Sequence, residues 1–273
     1  MQENRVCFVT GAASGIGRHL AGCFVAQGWN VFATDVQSDV VANEAREQNW
    51  PSERTATATL DVRDPAAWEH SLDAALVRFG RLDVLLNVAG VIRPGKAHEM
   101  DATAVDFHLD INAKGTIYGT QAAARRMVAQ GSGHIVNIAS MAALAPVPGL
   151  ALYTASKFAV RGFSLAIARE LAPHRVYVTV ICPDAVRTPM LDLQVDYPEA
   201  ALTFTAPRFL KVGDLERAVF ERVLPRRPLE VTLPRSRGWL AKCSSLAPDW
   251  IAPVIPWLTR RGLDVQRRLR DRR

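Results

Sequence analysis

The stretch "VCFVTGAASGIGRHL" (residues 6–20) decides how this chain folds. Val6-Cys7-Phe8-Val9 is a short apolar run of strand formers, which reads as a buried β-strand. Beyond the glycines, Leu20, Cys23, Phe24 and Ala26 recur at helical spacing until Gly28 stops the pattern. Between strand and helix lie Gly11, Ser14, Gly15, Ile16 and Gly17. Such a turn presents free backbone N–H groups at a helix N-terminus, an anion site suited to a pyrophosphate. On this stretch alone, a tight turn with no ligand is the alternative.

The next strand shifts that balance. "NVFATD" (residues 30–35) ends in Asp35, 18 residues after Gly17, where an acid accepts hydrogen bonds from an adenosine ribose and repels a 2′-phosphate. No Lys or Arg lies within residues 12–16 or beside Asp35, so the expected cofactor is NAD and not NADP.

Strand and helix patterns then alternate to about residue 235. Strands are expected at 55–62, 81–90, 134–140, 175–183 and 229–234, and helices around 40–49, 65–79, 152–172 and 214–224, with a short helix and a separate long one within 101–131. Repeated βα units predict an α/β fold, a doubly wound parallel sheet of Rossmann type, as one domain over residues 1–235. Residues 184–213 form the expected substrate loop, and residues 236–273 a Trp- and Arg-rich C-terminal extension. Ligands bind beyond the carboxyl ends of such strands. Those ends fall at residues 11–17, Asp35, Asp61, residues 87–90, Ser140 and residues 183–188.

Composition sets limits. A chain of 273 residues with 49% hydrophobic and 22% charged residues is of ordinary globular type. Its four cysteines are widely spaced and its six histidines show no ligand spacing, so neither disulfides nor a metal are expected. The first strand starts by residue 5, which leaves no room for a signal peptide and points to the cytoplasm. The net charge of +6 is uneven: residues 226–273 hold 12 Lys/Arg against 4 Asp/Glu, so the remainder is net −2. Those arginines form one terminal run with no nucleic-acid motif, and no nucleic-acid partner is expected.

Tyr153 and Lys157 stand four apart on the predicted long helix, one turn apart on one face. Ser140 ends the preceding strand at the same edge. A tyrosine with a pKa near 10 is a poor base at neutral pH. A nearby ammonium and the positive ring of NAD would stabilise its phenolate and lower that pKa, while Ser140 holds the substrate oxygen. Taken alone, such a pair is more often a packed aromatic and a solvated lysine.

From about Arg5 to Pro234 the chain resembles the short-chain dehydrogenase/reductase family: "TGAASGIG", "NVAG", the asparagine of "IN", Ser140 with "YTASK", and "PDAVRTPM" fall in the family's order. The resemblance implies a catalytic tetrad of Asn112, Ser140, Tyr153 and Lys157. Tyr153 is then the acid/base, Ser140 orients the reacting oxygen, Lys157 binds the nicotinamide ribose and lowers the tyrosine pKa, and Asn112 holds a relay water. It also implies Asp61 and Val62 at the adenine, Asn87, Ala89 and Gly90 at the adenosine side, and Val186 and Thr188 at the carboxamide with Pro183 beside them. A homo-oligomer, dimer or tetramer, is expected. Three features depart from the family pattern. Val88 replaces the second asparagine of "NNAG", which costs a structural hydrogen bond. Asp184 replaces a glycine after the sixth strand, read as a turn substitution with a place at the pocket mouth the alternative. The third is the long C-terminal extension.

The function expected is an NAD-dependent oxidoreductase acting on a hydrophobic secondary alcohol or ketone, with oxidation the favoured direction. A non-catalytic NAD-binding protein of the same fold and an NADP-dependent ketone reductase are the alternatives. Apolar residues of the substrate loop, from Met190 to Phe209, and residues 141–150 line a lipophilic pocket or pack on the core. No arginine is marked as waiting for a substrate carboxylate, with Arg93 and Arg187 the candidates. The extension, with Trp239, Trp250 and Trp257, either covers the pocket or a partner subunit or makes a peripheral membrane contact; its prolines exclude a membrane span.

Overall fold

The structure is a computed structural model that describes residues 4–271. Arg272 and Arg273, the last charges of the basic tail, lie outside the described residues, as do residues 1–3.

Seven parallel strands form one sheet: β1 (Val6–Thr10), β2 (Asn30–Asp35), β3 (Thr55–Thr59), β4 (Val84–Asn87), β5 (Gly133–Ile138), β6 (Val176–Pro183) and β7 (Glu230–Leu233), in the order β3-β2-β1-β4-β5-β6-β7. All five residues of β1 are buried, as a central parallel strand covered on both faces requires. Successive side chains point to opposite faces. Cys7 and Val9 therefore enter one hydrophobic cluster and Phe8 the other.

Cys7 and Val9 face α1 (Gly15–Ala26), α2 (Ser38–Glu47) and α8 (Val212–Ala218), the last running on through a π-turn (Val219–Val223) into α9 (Leu224–Arg226). Phe8 faces α3 (Pro65–Phe79), α5 (Gly115–Gln130) and α6 (Ala151–Leu171). Asp64 caps α3 as its sequence predicts, accepting from the Ala66 N–H at 2.8 Å, with Pro65 at the first helical position. Burying each large side chain of these clusters stabilises the fold by about 1.5–3 kcal/mol.

The strand order reverses between β1 and β4, and the crevice opens at that switch point. Three stretches differ from expectation. Strand β3 ends at Thr59 and not at residue 62. The region 101–131 is one continuous rod, α4 (Ala102–His108) joined to α5 by a π-turn (Leu109–Lys114). The substrate loop is ordered into α7 (Pro189–Gln194) and a 3-10 helix (Pro198–Thr205).

The tail is helical: α10 (Arg235–Leu246), α11 (Pro248–Ile251) and α12 (Ile255–Arg270). Pro248 and Pro256 sit in the first turns of α11 and α12, and Pro253 in that of the short 3-10 helix (Ala252–Val254) between them, where a missing N–H costs nothing. Among the described residues no helix is long and apolar enough to cross a membrane.

Candidate active site

Helix α1 starts without a side-chain cap. Ser14 at its N-cap makes no such hydrogen bond, so the first-turn N–H groups of Gly15, Ile16 and Gly17 point beyond the helix end. Gly11 has φ +69°, and a Cβ on Gly17 would stand 2.1 Å from the Gly11 carbonyl oxygen, so only glycine closes this turn. At the tip of β2, Asp35 accepts from the N–H groups of Ala13 (3.1 Å) and Gln37 (3.0 Å), which aims its carboxylate along the turn. Arg18, the residue directly after the turn, pairs with Glu44 at 3.4 Å. A turn of uncapped donors ending beside a fixed carboxylate fits the pyrophosphate and ribose of a dinucleotide.

A cavity of about 480 Å³ lies at the carboxyl edge beside this turn. Ile16, Gly90, Ser140, Tyr153, Lys157, Pro183, Val186 and Thr188 all line it, which brings both ends of the predicted site together. Lys157 is buried and donates to the Ile138 carbonyl at 2.9 Å. Its Nζ lies 5.7 Å from the centroid of the Tyr153 ring. The Ser140 hydroxyl accepts from the Ala142 N–H at 3.1 Å and hydrogen-bonds the phenol.

Asn112 sits in the π-turn, fully buried. It accepts from the Val91 N–H (2.7 Å) and donates to the Val91 carbonyl (2.9 Å) and to Ser156 Oγ (3.0 Å). A Cβ on Gly90 would meet Asn112 Oδ1 at 3.2 Å and Lys157 Nζ at 3.4 Å, so these two polar groups converge on the Gly90 backbone.

In the protein alone, burial opposes the expected lowering of the tyrosine pKa. Burial pushes the Tyr153 phenol up to about 12, and the Ser140 hydrogen bond opposes this only in part. Burial also brings the Lys157 ammonium down to about 8. The dry site disfavours both charges, and the protein by itself does not lower the tyrosine pKa.

Other predicted positions are placed more specifically than their motif implies. Asn87 turns its side chain inward, donating to Asn137 Oδ1 at 2.9 Å and Thr120 Oγ1 at 3.2 Å, so it braces the interior and is not aimed at the crevice. Val88 loses no backbone bond, since its N–H and that of Ala89 both donate to Thr10 Oγ1, at 3.0 and 3.1 Å. Asp61 is engaged by the Arg63 guanidinium, which holds its carboxyl below the usual range. Val62 is buried against Gly115, where a Cβ would meet it at 2.7 Å.

Asp184 corrects the turn reading. It is absent from the residues with positive φ and instead lines the cavity, 2.6 Å from Arg237 of α10. Burial raises its carboxyl pKa and Arg237 opposes that rise. Arg93 and Arg187 lie instead over Phe107 (4.7 Å) and Phe209 (6.0 Å), neither on the cavity wall. No local pattern marks Arg237, which lies 53 residues along the chain from Asp184.

The apolar residues divide. Met190, Leu191, Leu202, Val147 and Leu150 line the cavity, Phe204 is buried in the core beneath it, and Leu193 and Tyr197 are exposed. The tail forms the remaining wall. Separately, His19 and Cys23, one turn apart on α1, meet Glu216 of α8, with His19 Nε2 hydrogen-bonded to the carboxylate at 2.8 Å.

The sequence matches the family described as short chain dehydrogenase over residues 5–197. It is 34% identical over 201 residues to the 2-(R)-hydroxypropyl-CoM dehydrogenase of Xanthobacter autotrophicus, a match covering 72% of this chain and 80% of that one. Against the D-threitol dehydrogenase of Mycolicibacterium smegmatis it is 37% identical over 186 residues, covering 68% and 72%. Among solved structures, an NAD-bound short chain dehydrogenase from Mycobacterium paratuberculosis superposes with a TM-score of 0.75 at 28% identity, over 85% of this chain and 96% of that one.

Proposed function

Because the chain belongs to the short-chain dehydrogenase family and is an oxidoreductase of that kind, we propose that it transfers a hydride between NAD and a lipophilic secondary alcohol or ketone, with Tyr153 as general acid/base. One observation carries the reading: Ser140, Tyr153 and Lys157 share a single cavity whose other walls are largely apolar. Bound NAD supplies the hydride acceptor. Asp35 accepts the ribose hydroxyls and disfavours a 2′-phosphate, and the NAD-bound relative supports this choice.

Within the site, Ser140 holds the substrate oxygen and Tyr153 takes its proton. Lys157 holds the nicotinamide ribose and stands beside the phenol, and a water held at Asn112 would carry the proton on toward solvent. Residues 236–273 act as the cavity's outer wall, so substrate is selected by apolar fit. The protein works in the cytoplasm as a homo-oligomer.

The test is a panel of secondary alcohols of increasing chain length, assayed with NAD and NADP. NAD should bind far more tightly, and turnover should favour the longer alcohols. Tyr153→Phe should reduce turnover by roughly 10²–10⁴-fold with NAD affinity kept. Oxidation needs the phenolate of a group that burial pushes up to about 12, so its rate should climb with pH from neutral into the alkaline range. Reduction needs the phenol and should not climb. Equal affinity for NADP, or near-normal turnover in the phenylalanine variant, would overturn the reading.

A further inference from the structure

The tail has two apolar faces. Its inner face, through Ser244, Ile251, Ile255 and Leu258, walls the cavity. Its outer face leaves Trp239 70%, Leu246 86%, Trp250 86% and Trp257 57% exposed. The tryptophans before the tail are more covered: Trp29 and Trp68 are 6% and 1% exposed, and Trp50 is half-buried. Leu240 belongs to both faces, lining the cavity while 63% exposed, so the cavity mouth opens onto the apolar surface.

Charge frames this surface. Between Lys242 and Arg260 the sequence has one charged residue, Asp249. Arg235 lies before this stretch, and Arg260, Arg261 and Arg268 follow it. Among the described residues, Arg235, Arg260 and Arg268 have no acidic partner, and Arg261 lies over the Trp257 ring at 5.8 Å. A face whose rim is mostly basic, with Asp249, Asp264 and Asp271 as its exposed acids, pairs poorly with a second copy of itself, because arginines would mostly meet arginines. It complements an anionic plane. Tryptophan favours the boundary between headgroups and acyl chains, and basic residues favour anionic headgroups.

We propose that the outer face of α10–α12 docks on an anionic lipid bilayer, placing the cavity mouth at the acyl boundary so that substrate enters from the lipid. The identity of what enters rests on the lipophilic-substrate reading above; the docking does not. The helices lie on the surface, since none is long and apolar enough to cross it.

The test is co-sedimentation of the full chain with vesicles of equimolar phosphatidylcholine and phosphatidylserine, and with phosphatidylcholine alone, at low and high salt. Wild type should pellet with the anionic vesicles at low salt and be released by high salt. Arg260→Gln with Arg261→Gln should weaken binding by about fivefold per arginine. Trp250→Ala with Trp257→Ala should stay in the supernatant, with unchanged circular dichroism because both rings are exposed. Brominated lipid should quench the wild-type tryptophan fluorescence. Wild type remaining in the supernatant with every vesicle, or binding both vesicles equally at high salt, would overturn the proposal. So would a dimer that the tryptophan variant abolishes without any vesicle binding. None of these readouts uses turnover, and Tyr153→Phe should sediment as wild type does. A failed catalytic assignment and a failed docking surface are thus separately visible.

Discussion

The dinucleotide turn and the C-terminal tail border the same cavity but are held in place in different ways. In the turn, a strand, three glycines and a carboxylate lie within 35 residues, and their partners are the adjacent parallel strands in fixed register. The tail is held across the chain. Gln266 donates to the carbonyls of Gln194 (3.0 Å) and Tyr197 (2.8 Å), and Arg270 donates to that of Val195 at 3.2 Å. Gly262 lies directly on Ala201, and Arg237 reaches Asp184. The family match ends at residue 197, before this segment begins. On the proposed reading, cofactor binding thus rests on a local, strand-anchored motif. The shape of the substrate chamber is set by a long-range contact between tail and substrate loop, so the two properties can vary separately.

The largest contrast should come from two tryptophans. Trp68 is buried against Phe8 and Gly119 and donates to the Val62 carbonyl at 3.0 Å. Trp68→Ala should cost about 3–5 kcal/mol in urea unfolding, whereas Trp250→Ala should fall within about 0.5 kcal/mol of wild type. A large loss at Trp250 would mean that the tail is part of the core, and the contrast would break.

Next come two glycines with the same steric problem. A Cβ on Gly17 would stand 2.1 Å from the Gly11 oxygen, and one on Gly262 2.0 Å from the Ala201 oxygen. Each alanine variant should lose about 1–3 kcal/mol, but the functional readouts should separate. Gly17→Ala should abolish NAD binding in a calorimetric titration. Gly262→Ala should leave NAD affinity intact and raise the KM for substrate. Loss of NAD binding in the Gly262 variant would show that the two regions are coupled.

A smaller effect is expected from acid. Burial holds the His134 imidazole down at about 4, and its Nε2 lies 2.9 Å from Thr179 Oγ1. The unfolded chain takes up that proton near pH 6.5. The sheet's stability is therefore complete above about pH 6.5 and falls, by on the order of 3 kcal/mol, as pH drops toward 4. His134→Gln should flatten this slope in urea midpoints. The tail carries no histidine, so vesicle binding should not follow the same curve.

Much of this was legible before any coordinates. The apolar runs and turn glycines specify strands, helices and their order, because parallel strands and α-helices leave periodic signatures in the residues that form them. The i, i+4 spacing of Tyr153 and Lys157 sets them on one helical face, and Ser140 at a strand end joins them once βα units stack into one sheet. What burial does to a charge is not written in spacing. The same motif that brings Tyr153 beside Lys157 also dries the site, and desolvation outweighs the expected lowering of the phenol. Asn87 turns inward because Gly119 on α5 leaves room for its amide, a packing detail with no local mark. The sequence by itself thus determined the fold and the strand-end residues, which follow from local periodicity, and the family, which its ordered motifs resemble. Only the tertiary structure decided that Asp184 meets Arg237 and that the tail walls the cavity while showing three tryptophans to solvent. Those contacts join residues more than fifty positions apart, and folding, not spacing, brings them together.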